Sequence, residues 1–567
     1  MKRWRHYVLV STFVAIAGGL VARMVYLNIT EREFLKSQGD ARSIRVETMP
    51  VYRGMILDRN GEPLAVSTPV VSVWFDPSEA TLSGDDVERL ARTIQLHPRE
   101  LADKLARYAK REFMYVKRRV TPQVADAVAA LTIRGVHFQR EYKRYYPAGE
   151  TVAHVVGITN IDEQGQEGVE LTFDAQLRGV AGRKRVLKDR LGRTIKDLEF
   201  LNAPQFGTDL ELSLDLRLQF FSYRELKSAV ERSHARSGSL VMLDAHTGEI
   251  LALVNQPSFN PNQLSSGLAT GLSHAAAARV LDTMRNRATT DTYEPGSTVK
   301  PFTMLAALES RRFSERSRID TAPGYFRVGR KLVEDPLNRG VLTLAEVLAK
   351  SSQVGVAKIA LALDERAVFD VFARAGFGEP TASGLPGEAV GTFTDERLDH
   401  KLERATLAYG YGLTVTPLQL AHAYLTLASG GVHLPATILR RDRAPAGTRV
   451  FDEALIGRVV NMMEAVTGDE GTAPKAQVAG YRVAGKTGTA RKVGVTGYDD
   501  ARHVAFFAGL APLHAPRIVV VVVVNEPQGE TTGGGGVAAP IFARVVARAL
   551  RLLSVEPTEG LAWPTAA

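Results

Sequence analysis

A charge-free apolar run near the start of the chain constrains its fold more than anything that follows. From Tyr7 to Ala22 no residue is charged, and apolar character continues past Arg23 to Leu27. A helix needs about 20 such residues to cross a bilayer. Lys2, Arg3 and Arg5 precede the run, which predicts a cytoplasmic N-terminus and everything after residue 28 on the far side. Arg23 stands near one end, where a long side chain can reach the headgroups. The competing reading is a cleaved signal peptide with Ala15-Ile16-Ala17 as its cleavage site. Apolar residues well beyond Ala17 favour an anchor. The later run Ile518 to Val524 is wholly apolar but too short to span, and suits a buried strand.

Composition narrows the rest. At 567 residues the chain exceeds one hydrophobic core, so several domains are expected. With 45% apolar and 23% charged residues it is a folded protein. Its 71 basic and 62 acidic residues leave +9, which suits an anionic membrane or wall and does not call for nucleic acid. The absence of cysteine rules out disulfides, Cys zinc sites, iron–sulfur clusters and thiol nucleophiles. There is no His-Glu-x-x-His and no Gly-x-Ser-x-Gly. Gly533–Gly536 lacks the Lys-Ser/Thr of a phosphate loop and reads as a flexible loop. No metal or cofactor is expected.

Residues 29–205 carry short alternating runs broken by turns. Asn60-Gly61, between Met55-Ile56-Leu57 and Leu64-Ala65-Val66, predicts a hairpin. Residues 85–131 read as helical. A boundary falls at 202–207. Beyond it, Leu210–Leu214 reads as a strand and Asp215–Arg232 as an amphipathic helix. Ser239–Leu243 and Glu249–Val254 read as a hairpin. Helical segments follow at 300–311, 341–363 and 402–428. Strands are predicted at Tyr481–Arg491, Val504–Leu510 and Ile518–Val524, then a helix at Val537–Leu553. An early hairpin and three late strands with helices between them imply one mixed α/β domain.

The chemistry gathers around Glu294-Pro295-Gly296-Ser297-Thr298-Val299-Lys300. Pro-Gly breaks the chain just before an apolar helix, placing Ser297 near a helix N-terminus. Lys300 shares its face, with Cβ atoms about 5–6 Å apart. A serine hydroxyl needs a base to become a nucleophile. A lysine can serve once burial or a second cation keeps it neutral. Roughly one Ser-x-x-Lys is expected by chance in a chain of this length, and this is the one instance here. Two further elements add weight. Lys486-Thr487-Gly488-Thr489 falls on a predicted strand, offering a cation, two hydroxyls for a carboxylate and a glycine that admits a neighbouring backbone. Lys350-Ser351-Ser352-Gln353 interrupts a helical run with a hydroxyl and a carboxamide.

The set Ser-x-x-Lys, Ser-x-amide, Lys-Thr-Gly resembles the signature of penicillin-binding proteins and class A β-lactamases. Nearly the whole chain resembles a class B penicillin-binding protein of the division (septal) D,D-transpeptidase type. The matching pieces are Arg53-Gly54 with Asp58–Gly61, Tyr146–Gly149, Gly165-x-x-Gly168-x-Glu170, the Ser297 segment, Ala408–Gly412 and Ala484–Arg491. The resemblance implies a multidomain α+β protein. Its parts would be a cytoplasmic tail (1–6), a transmembrane anchor (7–28), an elongated mixed pedestal of the dimerisation type (29–205), a transpeptidase domain (206–555) and a tail (556–567). That catalytic domain would have a β-lactamase-like antiparallel sheet flanked by helices, facing the periplasm from the inner membrane. The resemblance also implies roles. Ser297 attacks the D-Ala-D-Ala carbonyl of a peptidoglycan stem peptide, and Lys300 is the general base. Ser351 relays the proton, and Lys486 keeps the electrostatic balance. Thr487 and Thr489 take the substrate carboxylate beside Gly488, and the N–H groups of Ser297 and Thr489 form the oxyanion hole. Glu294, Tyr409, Tyr411 and Arg491 line the cleft. β-Lactams would acylate the same serine. A lipid-linked glycan polymerase of the shape-and-division (SEDS) class and other division proteins would be partners.

One position departs from the family, where the middle motif is Ser-x-Asn. Gln353 carries the same amide one methylene further out, which suggests a specialised paralogue with altered β-lactam contacts. Glu334-Asp335-Pro336-Leu337-Asn338 spells the Glu-x-x-Leu-Asn of lactamase loops. It precedes Ser351 instead of following it, so it reads as coincidence. A D,D-carboxypeptidase and a noncatalytic β-lactam sensor on the same fold remain the alternatives.

Overall fold

The computed structural model describes residues 3–189, 194–264, 273–396, 398–494 and 497–557. Lys2 of the basic N-terminus, and residues 558–567 of the expected tail, lie outside them. Helix Arg3–Ile29 is long and apolar enough to cross a membrane, and no part of its apolar window is buried. Helix Arg32–Ser43 follows.

The chain forms two compact units. The first comprises the segments up to Arg53, Val71–Glu141 and Arg178–Thr208. The second comprises Gly54–Val70, Tyr142–Leu177 and the chain from Asp209. In the first unit, Val73, Phe75, Leu90, Leu101, Met114 and Val116 form a small core. The helical reading of 85–131 is only partly right. Helices occupy Gly84–Thr93, Pro98–Tyr108 and Pro122–Ala129, but Met114–Val120 is a strand paired antiparallel with Val71–Phe75. Ser83, His97 and Thr121 each cap a separate helix, and Pro98 and Pro122 open two of them. The caps cut the segment into pieces that a continuous 3.6-residue period conceals. A second sheet joins Ile44–Met49, Gly182–Lys188 and Thr194–Asn202.

In the second unit the predicted hairpin is present. Ile56 pairs with Ala65, Asp58 Oδ1 accepts from the N–H groups of Asn60 and Glu62 at 2.7 and 2.9 Å, and Gly61 takes φ +85°. The expected strand Leu210–Leu214 is only Leu210–Glu211, parallel to Ile56–Leu57. It ends because Ser213 N–H turns to Ile438 O and Asp215 caps helix Leu216–Arg232. Arg144 and Glu170 form an ion pair at 2.6 Å with neither side chain exposed.

The core is a five-stranded antiparallel sheet in the order Ile250–Gln256, Ser237–Asp244, Ile518–Asn525, Gly497–Ala511, Ala484–Gly494. Its first three strands are buried at every residue, as continuous apolar runs require. Helices Leu216–Arg232 and Gly534–Leu552 pack on each other and on the sheet. Helix Pro417–Ala428 is buried along its whole length. Two predicted helices are broken. Over 341–363, strand Val341–Thr343 leads into helices Leu344–Ala349 and Gln353–Ala362, with the break at Lys350–Ser352. Over 402–428, helices Lys401–Leu407 and Pro417–Ala428 flank a loop containing Gly410 and Gly412, both at positive φ. The glycine run at Gly533–Gly536 is not a flexible loop. Gly533 is the N-cap and Gly534 the first residue of helix Gly534–Leu552.

Candidate active site

The break expected at Pro295-Gly296 is a tight turn with Gly296 at φ +53°. It leads through a 3-10 turn, Gly296–Val299, into helix Lys300–Glu309. Ser297 is half-buried on that turn and Lys300 is fully buried. The loop carrying Tyr409 and Tyr411 clamps the turn: Gly296 N–H donates to Gly410 O at 3.1 Å. A Cβ on Gly410 would stand 2.0 Å from Gly296 O, so only glycine permits this contact.

The break in the second predicted helix puts Ser351 in the left-handed region at φ +55°. Its hydroxyl then faces two amines. Lys300 Nζ donates to Ser351 O at 2.7 Å and Oγ at 3.2 Å. Lys486 Nζ donates to the same Oγ at 2.9 Å, and to Thr487 O and Oγ1 at 3.1 and 3.3 Å. Among the described residues no hydrogen bond joins Ser297 Oγ to Lys300 Nζ. Burial pushes Lys300 down to about 7, while the Asp335 charge works in the opposite direction. Burial pushes Lys486 well below its ordinary range, and the nearby Lys300 charge pushes the same way. The site therefore disfavours two ammonium groups and holds Lys300 as an amine able to accept a proton near neutrality.

Asp335 was missed by motif reading, which set the Glu334–Asn338 stretch aside. Its carboxylate accepts from Ser352 Oγ at 2.5 Å and from the N–H groups of Gln353 and Val354 at 2.6 and 3.2 Å. It thus caps the helix that begins at Gln353 and anchors the turn presenting Ser351. No lactamase motif is involved; an acidic residue before a proline offers no sequence signal for this contact.

The Ala484–Gly494 strand is the sheet edge that packs against the Gly296–Val299 turn carrying Ser297. A Cβ on Gly488 would lie 2.8 Å from Thr298 Cγ2 and 3.0 Å from Pro295 O, so the expected close approach is present. A cavity beside the strand is lined by Gln353, Tyr409, Tyr411, Thr489, Arg491 and Tyr498. Tyr411 meets Tyr409 and Tyr498 edge-on, at 5.7 and 5.4 Å between ring centroids. Glu294 accepts from Gly412 N–H and Tyr498 OH, both at 3.0 Å, and burial raises its carboxyl. Tyr498 comes from the adjacent strand and was not singled out in the sequence.

The family model described as the penicillin-binding protein transpeptidase domain matches residues 238–547, and that of the penicillin-binding protein dimerisation domain matches 48–212. The peptidoglycan D,D-transpeptidase FtsI of Escherichia coli is 42% identical over 559 residues, covering 98% of this chain and 92% of that protein. The chain belongs to the class B penicillin-binding proteins. Two solved structures agree. The apo transpeptidase domain of Burkholderia pseudomallei penicillin-binding protein 3 is 37% identical, with a TM-score of 0.55 over 62% of this chain and 98% of that one. A peptidoglycan synthetase from Bifidobacterium adolescentis, 24% identical, shares the fold over 91% of this chain and 98% of its own, with a TM-score of 0.69.

Proposed function

We propose that this penicillin-binding protein is a serine D,D-transpeptidase that cross-links peptidoglycan stem peptides during septal wall synthesis. The observation carrying the proposal is the meeting of Lys300 and Lys486 at Ser351 Oγ, on the turn facing the Ser297 segment. Neutral Lys300 takes the Ser297 proton as Oγ bonds to the penultimate D-Ala carbonyl carbon. N–H groups of Ser297 and Thr489 stabilise the oxyanion. The C–N bond to the terminal D-Ala breaks, and the proton passes through Ser351 to the leaving amine. An amine of a neighbouring stem peptide then attacks the ester. A C–N bond forms, the C–O bond breaks, and Ser297 regains its proton. Lys486 balances charge, and Thr487 and Thr489 hold the donor carboxylate. Glu294, Gln353, Tyr409, Tyr411 and Arg491 contact the rest of the donor. β-Lactams would stop at the acyl stage.

The Arg3–Ile29 helix supports a single anchor at 7–28 with a cytoplasmic tail. The pedestal (29–205) and catalytic domain (206–555) would then lie in the periplasm. A membrane glycan polymerase of the shape-and-division class is the expected partner. Fluorescent penicillin should label the protein covalently and fail on Ser297→Ala. Lipid-linked peptidoglycan should then yield cross-linked dimers; release of D-Ala without dimers would identify a carboxypeptidase, and neither product a sensor.

A further inference from the structure

The Thr487 hydroxyl lies on the edge strand and accepts a hydrogen bond from Lys486 Nζ at 3.3 Å. It lies 2.8 Å from a second hydroxyl, that of Thr472, whose chain segment no motif covers. A hydroxyl has one proton and two acceptor positions. If Thr472 donates, both acceptor positions of Thr487 are filled and its own proton is left for a ligand. Thr489, two residues along on the same strand face, receives the Gly534 N–H on its Oγ1 at 3.2 Å. Its proton is likewise free for the cleft it lines.

The glycine run makes both contacts geometrically feasible. A Cβ on Gly534 would meet Phe506 O at 2.1 Å and Gly488 O at 2.6 Å. A Cβ on Gly535 would meet Thr472 O at 2.2 Å. The start of helix Gly534–Leu552 therefore lies directly against the Thr487–Thr489 strand and the Thr472 segment.

We propose that Thr472, together with the Gly534 N–H, is a positioning group that turns the Thr487 and Thr489 protons toward the cleft, so that the site favours acyl donors ending in a free carboxylate. The inference rests on the acylation of Ser297 proposed above. It is tested with two thioester donors, one ending in a free carboxylate and the other the same compound capped as a methyl ester. Thiol release gives the second-order acylation rate constant. Wild-type protein should prefer the carboxylate donor. Thr472→Val should lose about tenfold on that donor, as for one hydrogen bond to a charged group. On the ester it should change less than about twofold, and Thr472→Ser should restore the preference. Equal losses on both donors would mean that Thr472 serves packing alone and would overturn the inference, as would an unchanged preference in Thr472→Val. A wild-type protein acylated by neither donor would overturn the acylation reading and this inference together.

Discussion

Lys300 and Lys486 come from a helix and an edge strand, yet their Nζ atoms lie 3.2 and 2.9 Å from one oxygen, Ser351 Oγ. Two full charges on buried side chains that meet at a single half-buried hydroxyl repel and are poorly solvated. With Lys300 held near 7, its neutral form grows as pH rises through that value. Acylation of Ser297 should therefore be slow at acid pH, reach half its plateau near 7 and level off above it. Stopped-flow acylation by a chromogenic β-lactam across that range checks this; a flat profile would exclude Lys300 as the base.

Asp335 touches neither amine by hydrogen bond, but its charge favours the protonated form of Lys300. Asp335→Asn removes that charge, so Lys300 loses its proton more readily and the rising limb of the pH profile should move to lower pH. The substitution also weakens the contacts to Ser352, Gln353 and Val354, and the plateau should fall about tenfold. A lower plateau with an unmoved midpoint would limit Asp335 to holding the turn.

Gln353 has its backbone N–H bound by Asp335 and its side chain in the cleft. Its amide therefore stands one methylene further out from a fixed backbone than asparagine's would. Gln353→Asn should raise β-lactam acylation roughly fivefold, the order expected from one better hydrogen bond. Equal rate constants in the two proteins would make the longer side chain neutral.

Gly488→Ala places a methyl group against Thr298 and Pro295 O. The edge strand must then withdraw from the turn that carries Ser297. We expect a loss of about 1–3 kcal/mol, typical of overpacking, and a tenfold or greater fall in acylation. Thermal melting and penicillin labelling report the two effects separately.

Much of the site was legible because its residues lie in contiguous words: Ser297 with Lys300, and Lys486 through Thr489. The strand at Ile518–Val524 was equally plain, since a strand buried on both faces is apolar without interruption. Asp335, Thr472 and Tyr498 were not legible. Each acts through contacts made across the fold, among them those to Ser352, Thr487 and Glu294, and local spacing carries no trace of such contacts. The Met114–Val120 strand was hidden for the opposite reason. The capped helices around it share enough apolar spacing to read as one, and its pairing with Val71–Phe75 is decided by tertiary contact.

The position of helix Gly534–Leu552 has a consequence for biosynthesis. A ribosome makes Ser297, Ser351 and the Lys486 strand before it makes the glycines that rest against Thr489. A nascent chain halted near Gln528 would hold all three motifs without the Gly534 N–H, and without the helix that covers the sheet. Such a chain should not take up fluorescent penicillin, whereas one extended through Leu552 should. The enzyme would thus stay unreactive toward penicillin while it is being made and acquire its reactivity only as this late segment docks.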